Sequence, residues 1–239
     1  MIALAVGHEA NPKTFFIHKN VLCAASPFFE RACKPEWMKP EDRAIKLLYD
    51  DAGDIESMIY WMYHNEIGIS QAMICKEGLP EHETDNLINI FVKLYALGEK
   101  YQMPMLRNDA VDAIILCHAQ GLRGLFDPEV INYAWRNSME NSMLRKLILD
   151  LEGPSHDEDE LKEMKELDLY TEFWADYTIW LLLYFTRTAE TLKQVNRNGS
   201  TSKESKETAF CTSYHVHERD CREPCTQKKP YVLFTNETR

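Results

Sequence analysis

The sequence predicts an α+β chain: a small β-sheet near the N-terminus, a helical cluster flanking it, and a C-terminal helical extension. Three observations carry this. Two β-prone runs, Ile2–Val6 and Thr14–Ile17, flank a short turn with Asn-Pro, the pattern of a hairpin. Apolar residues then recur at helical spacing from Asp54 to Trp135. From Gly153 the composition changes, first to strongly acidic and then to aromatic.

Taken in order, Ile2–Val6 ends at Gly7, and residues 8–13 (HEANPK) form the turn. Residues 19–25 (KNVLCAA) suit a buried helix. Ser26-Pro27 then supplies a capping oxygen and a preset φ for the first turn of a second helix. Residues 35–43 (PEWMKPEDR) are a polar connection to a third strand, Ala44–Tyr49, and Asp50-Asp51-Ala52-Gly53 signals a turn or cap. A helix over 54–64 takes Asp54 as its N-cap and lines up Ile55, Met58, Ile59, Met62 and Tyr63. Residues 76–85 read as a polar loop.

Asn86–Tyr101 is the clearest amphipathic helix, with Leu87, Phe91, Leu94, Tyr95 and Gly98 on one face. Pro104 opens the next, with Leu106, Ala110, Ala113, Ile114 and Cys117 together. Asp127-Pro128 starts another through Trp135, and Leu144–Leu151 is a short apolar stretch. Residues 169–195 are aromatic and helical, and Phe173–Phe185 (FWADYTIWLLLYF) reads as a buried helix. The stretch 196–208 lacks any core former and is expected to be flexible.

Composition narrows the function classes. The 239-residue chain is 45% hydrophobic and 11% aromatic, enough for a substantial core in one or two domains. Its net charge of −11 argues against a binder that neutralises nucleic-acid phosphates. The charge is uneven: residues 193–239 carry 9 basic and 6 acidic groups, so residues 1–192 hold −14. The acidic run Asp157–Glu160 is most simply a solvated helix start. No stretch has the layout of a signal peptide or the ~20 apolar residues of a membrane span, so an intracellular protein, cytoplasmic or nuclear, is expected. Cys23, Cys33, Cys75 and Cys117 sit among apolar residues and read as reduced core thiols.

The templates for catalysis fail. There is no GxxxxGK[ST], no GxGxxG after a strand, no GxSxG and no HExxH. Gly121-Leu122-Arg123-Gly124 is a loop between helices. No enzyme is expected.

The order of elements, with the residues at their junctions, resembles a BTB/POZ domain. The resemblance rests on Phe15-Phe16-Ile17-His18-Lys19, Val21-Leu22, Ser26-Pro27-Phe28-Phe29, Ile45–Leu48 with Asp50-Asp51, Met58–Tyr63, and Leu94–Tyr101 with Met103-Pro104 and Leu106. The family-motif core is Phe16, His18, Lys19, Leu22, Ser26, Pro27, Phe28, Phe29, Tyr95, Tyr101 and Pro104. Ser138–Asp150 (SMENSMLRKLILD) is similar to the helical extension of BTB proteins of filamentous fungi. The implied layout is a BTB/POZ domain at 1–120, a helical extension at 121–195, a flexible linker at 196–209 and a Cys/His-containing tail at 210–239.

The resemblance implies a fold that acts by contact. Its members self-associate, join other domains, or dock substrates onto cullin-type ubiquitin ligase scaffolds. The cullin-facing regions map to residues 54–69 and 87–101, with Met58, Met62 and Ile67 as the candidate partner surface against the simpler reading of core. His18 is expected to be a core histidine bonded to backbone. Lys19, which in many animal members faces a charged pocket, is expected here as a solvated surface charge.

The tail carries one further pattern. Cys211, His215, His217, Cys221 and Cys225 gather five zinc-type ligands in fifteen positions, and zinc takes four S/N ligands in a tetrahedron. None of the standard finger spacings matches, so a strand with reduced cysteines or a disordered tail stand beside zinc as alternatives. No other cofactor is expected. The leading functional expectation is an oligomerising or adaptor module for protein partners. The alternative is a transcription-associated regulator with a zinc-binding tail.

Overall fold

The computed structural model describes residues 1–8, 10–37, 44–69, 81–119, 126–153 and 158–198. The chain divides into two compact units, one ending at Ile114 and the other beginning at Ile115.

The first unit is built on a three-stranded sheet, β1 (Ile2–Val6), β2 (Lys13–Ile17) and β3 (Ala44–Leu47), in the order β2-β1-β3. β1 and β2 form the expected antiparallel hairpin, with Ile2 opposite Ile17 and Leu4 opposite Phe15. The period of two sorts the side chains. Ile2, Leu4, Val6 and Ile17 are buried, while Ala3 and Ala5 face the other way and are half-buried. β3 runs parallel to β1. A parallel neighbour needs a crossover of a dozen or more residues. The helices α1 (Lys19–Ala25) and α2 (Pro27–Ala32) lie within it.

Local chemistry explains the helix boundaries. Ser26 caps α2: its Oγ accepts from the Phe29 N–H at 3.1 Å and donates to the Tyr101 carbonyl at 2.5 Å, and Pro27 stands at the first helical position. One buried hydroxyl thus closes a helix start and ties it to a residue 75 positions away. Ser26→Ala is expected to lower the unfolding free energy by about 0.5–2 kcal/mol, the range for losing a helix cap. Urea midpoints of the two proteins measure it, and equal midpoints would mean that water replaces the hydroxyl.

α3 (Ala52–His64) begins earlier than the periodicity suggested, because Asp51 and not Asp54 is the cap. The Asp51 carboxylate accepts from the Gly53 and Asp54 N–H groups at 2.7 and 3.1 Å. An N-cap needs extended backbone, and Asp51 has it (ψ 138°) while Asp54 lies inside the first turn. The helix stops at Asn65 in the left-handed region (φ 52°). α4 (Glu81–Lys100) takes in residues 81–85, which had read as loop because a polar first turn carries no apolar period. Residues 70–80 lie outside the described set. α5 (Pro104–Ala119) presents the expected face, with Leu106, Ala110, Ala113, Ile114 and Cys117 all buried.

The second unit is helical: α6 (Pro128–Asn137), α7 (Met143–Glu152), α8 (Glu158–Lys165) and α9 (Thr171–Asn198). Asp127 caps α6 through the Glu129 N–H at 2.7 Å, and Ser142 caps α7 through the Leu144 N–H at 3.3 Å. Trp135 and Phe173 meet edge to face at 4.9 Å in the core, and Leu144, Ile148 and Met164 are fully buried in the same unit.

Only the first half of the Phe173–Phe185 stretch is buried, contrary to its reading as a buried helix. Phe173 and Tyr177 are inside, but Ile179, Leu182, Leu183, Tyr184 and Phe185 are 40–66% exposed. Burial of an apolar helix needs neighbours along its whole length, and among the described residues those of α9 cover only its first part. The linker beyond residue 198 and the Cys/His tail lie outside the described residues, as do Cys75 and the loop at 121–124.

Candidate functional site

The motif residues of the first unit divide by position. Leu22, Ser26, Phe29, Tyr95 and Tyr101 are buried, Phe28 and Pro104 are half-buried, and Phe16, His18, Lys19 and Pro27 are exposed. The buried set converges where α2 meets the end of α4. Phe29 stacks on Tyr101 at 4.9 Å, and Phe28 touches both rings at 5.2 Å. The Tyr101 hydroxyl donates to Asp50 at 2.5 Å, and Lys100 pairs with the other oxygen of the same carboxylate at 2.6 Å. Tyr95 accepts from Arg107 at 2.9 Å, and that guanidinium also lies 3.4 Å from Glu99. These contacts brace the scaffold, and no nucleophile is poised among them.

Two groups here show the effect of burial on ionisation. Burial, together with Cys23 beside it, pushes the Cys33 thiol from the usual 9.0 up to about 11. Burial and the hydrogen bond to Asp50 hold the Tyr101 phenol well above its ordinary 10.0. A raised acid pKa means that the unfolded chain releases the proton first as pH rises. The unfolded state then binds fewer protons than the native one, so stability falls with pH. Stability is expected to be flat near neutrality and to decline above about pH 9, by up to about 1.4 kcal/mol per pH unit per group. Chemical denaturation at pH 8 and pH 10 measures this, and Tyr101→Phe combined with Cys33→Ala should flatten the decline.

At the strand–helix junction the structure corrects the expectation for His18. It is exposed, not a core histidine, and its ring bonds a side chain: His18 Nδ1 lies 2.8 Å from the Tyr63 hydroxyl. The His18 backbone N–H donates to the same oxygen at 3.1 Å. The junction has no cap from its own side chain, so α3 supplies a partner across the fold. Lys19 is an exposed charge, as expected.

The candidate partner surface also changes. Met58 and Met62 are buried at 0% and 6% exposure and belong to the core, so neither can meet a partner. Ile67 is half-buried. The large apolar residues that α3 shows to solvent are Tyr60 and Tyr63, 40% and 41% exposed. Tyr60 stacks on His64 at 4.0 Å, which holds its ring in place at the surface. Period alone had assigned Tyr63 to the apolar face. Trp61, missing from that assignment, is buried instead and donates its indole N–H to Asp109 at 2.7 Å. Phe16, Trp37, Tyr49 and Met105 are further exposed apolar groups of this unit, from 52% to 95%. The signal for them was weak, because an aromatic residue in a strand or loop reads as core by default.

Among the described residues, no group of three or more His, Cys, Asp or Glu is placed to hold a metal ion. The candidate zinc ligands Cys211, His215, His217, Cys221 and Cys225 lie outside them. No described helix is long and apolar enough to cross a membrane.

Comparison with known proteins agrees with the geometry of the first unit. The family model for the BTB/POZ domain matches residues 2–117. A search of curated proteins gives no match to the chain. A three-stranded sheet with its crossover helices, the Ser26-Pro27 cap and the aromatic centre at Tyr101 all fall within that match. Residues 2–117 are a BTB/POZ domain, a protein-interaction module, and the chain is a BTB/POZ domain-containing protein.

Proposed function

We propose that this chain works without catalysis, as an adaptor that brings a protein partner to a cullin-type ubiquitin ligase scaffold. The supporting observation is the solvent-facing side of α3, where Tyr60, Tyr63 and His64 are exposed, followed in the chain by the half-buried Ile67. This lies in the 54–69 region that the family resemblance associates with cullin contacts. Exposed tyrosines held by stacking lose little side-chain freedom on binding, and Tyr is enriched in interface hot spots.

The test is binding of the purified full-length chain to an isolated cullin N-terminal domain by biolayer interferometry. Saturable binding is expected, weakened about tenfold or more by Tyr60→Ala, which corresponds to about 1.4 kcal/mol. No binding at any concentration would remove the cullin from the proposal. The Cys/His spacing of the tail favours a second reading, a transcription-associated regulator whose tail holds zinc. Stoichiometric zinc on the purified chain, lost in Cys221→Ser, would support it.

A further inference from the structure

The second unit carries a surface that the BTB/POZ domain does not account for. On α9, Ile179, Leu182, Leu183, Tyr184 and Phe185 put five large apolar side chains into solvent within seven residues. The run from Tyr177 to Thr186 contains no charge. Exposed apolar patches of a few hundred Å² on soluble proteins mark interaction sites.

The spacing along the helix is specific. Ala175, Thr178, Leu182, Phe185, Ala189 and Leu192 follow the alternating three- and four-residue steps of a coiled-coil seam. Ala175, Thr178, Leu182 and Phe185 are exposed, as is Ile179 beside them. The opposite side of the helix is the one used inside the unit. Phe173 and Tyr177 are buried there, and the Trp180 N–H reaches Asp150 at 2.5 Å. Thr178 in the seam and Thr186 beside it both fit an apolar surface. The Thr178 and Thr186 hydroxyls each bond back to their own helix, to the Trp174 and Leu182 carbonyls, at 2.8 Å.

Charge identifies the occupant. The start of α9 carries Glu172 and Asp176, and its later half carries Arg187, Lys193 and Arg197 with Glu190. A twofold axis between Leu182 and Phe185 sets Leu182 of one helix against Phe185 of the other. It also sets Glu172 of one against Lys193 of the other, both in positions that flank the seam and select orientation in coiled coils. The same face is therefore complementary to itself when antiparallel, as an isologous contact requires. In a parallel pair, like ends would meet. A chain of net charge −11 repels copies of itself in general, and this uncharged, end-complementary face is where that repulsion is absent.

We infer that α9 is a self-association surface, pairing antiparallel with α9 of a second copy of this chain through Leu182 and Phe185, with Glu172 against Lys193 at each end. The surface lies outside residues 2–117 and does not depend on the cullin reading.

Sedimentation velocity of the full-length chain over a wide concentration range tests it. Leu182→Glu with Phe185→Glu is expected to move the concentration at which the chain assembles at least tenfold upward, whether the BTB/POZ domain adds a contact of its own or not. Both positions are exposed, and unchanged circular dichroism shows that the variant is folded. Glu172→Lys alone and Lys193→Glu alone are each expected to weaken association several-fold, and the two together to restore it. An unchanged concentration dependence of assembly in the leucine–phenylalanine variant overturns the proposal. So does failure of the double charge reversal to restore what the single reversals lose. Cullin binding measured on the same folded variant separates this result from the adaptor reading, since Tyr60 lies on the other unit.

Discussion

Phe29→Ala is expected to lower the unfolding free energy of the BTB/POZ unit by about 3–5 kcal/mol, the range for truncating a buried aromatic ring. Phe29 is fully buried, stacked on Tyr101 at 4.9 Å and edge-on to Phe28 at 5.2 Å. The void cannot close easily, because Tyr101 is held from its other end by Asp50 and its carbonyl is held by Ser26. Domains of this size are commonly stable by only about 5–15 kcal/mol, so much of the unit's margin would go. Urea denaturation followed by far-UV circular dichroism reads the loss, and Phe29→Leu should recover most of it. A loss below about 1 kcal/mol would mean that the three rings are not a cooperative core.

In the second unit, Arg145→Ala should cost about 3 kcal/mol, the low end for breaking a buried charge pair. Arg145 is 7% exposed. Its guanidinium donates to the Trp135 and Ser138 carbonyls at 2.8 Å, and Nε donates to the Ser138 hydroxyl at 3.2 Å. Asp176 lies 3.4 Å away and retains 32% side-chain exposure, so water can partly replace that partner and the low end applies. The two carbonyls belong to the end of α6, whose last turn has no partners within its own helix. Arg145→Lys should fail to rescue, since an ammonium cannot reproduce the planar fork that reaches both carbonyls. Denaturation monitored by tryptophan fluorescence is suitable, because the Trp135 ring lies 5.6 Å from the guanidinium. Wild-type stability in the lysine variant would show that charge alone is what α6 needs.

These two sites differ in how far they could be read in advance. Phe29 sits two residues after a Ser-Pro cap signal within a recognisable motif, so both its place and its role followed from the chain. Arg145 sits in a helical run whose apolar residues are plain, but nothing local says that its charge turns inward. That depends on the end of α6 arriving with unpaired carbonyls.

The same division holds for the partner surface. The periodicity of α3 put Met58 and Met62 on one face, and it could not say whether that face met a core or a partner. The elements packed against α3, α1 and α4 among them, decide it, and both methionines are buried. The large apolar residues of α3 that remain in solvent are Tyr60 and Tyr63, with Tyr63 also engaged by His18 from 45 positions away.

The chain by itself determined the hairpin, the Ser26-Pro27, Asp127-Pro128 and Leu106–Cys117 features and the motif of a BTB/POZ domain, because caps, turns and apolar periods are properties of neighbouring residues. Tertiary structure alone decided that His18 reaches Tyr63 and that Arg145 is buried. It also decided that α9 leaves Leu182 and Phe185 uncovered. A helical period specifies which residues share a face, and only the elements packed against that face determine how much of it is removed from water.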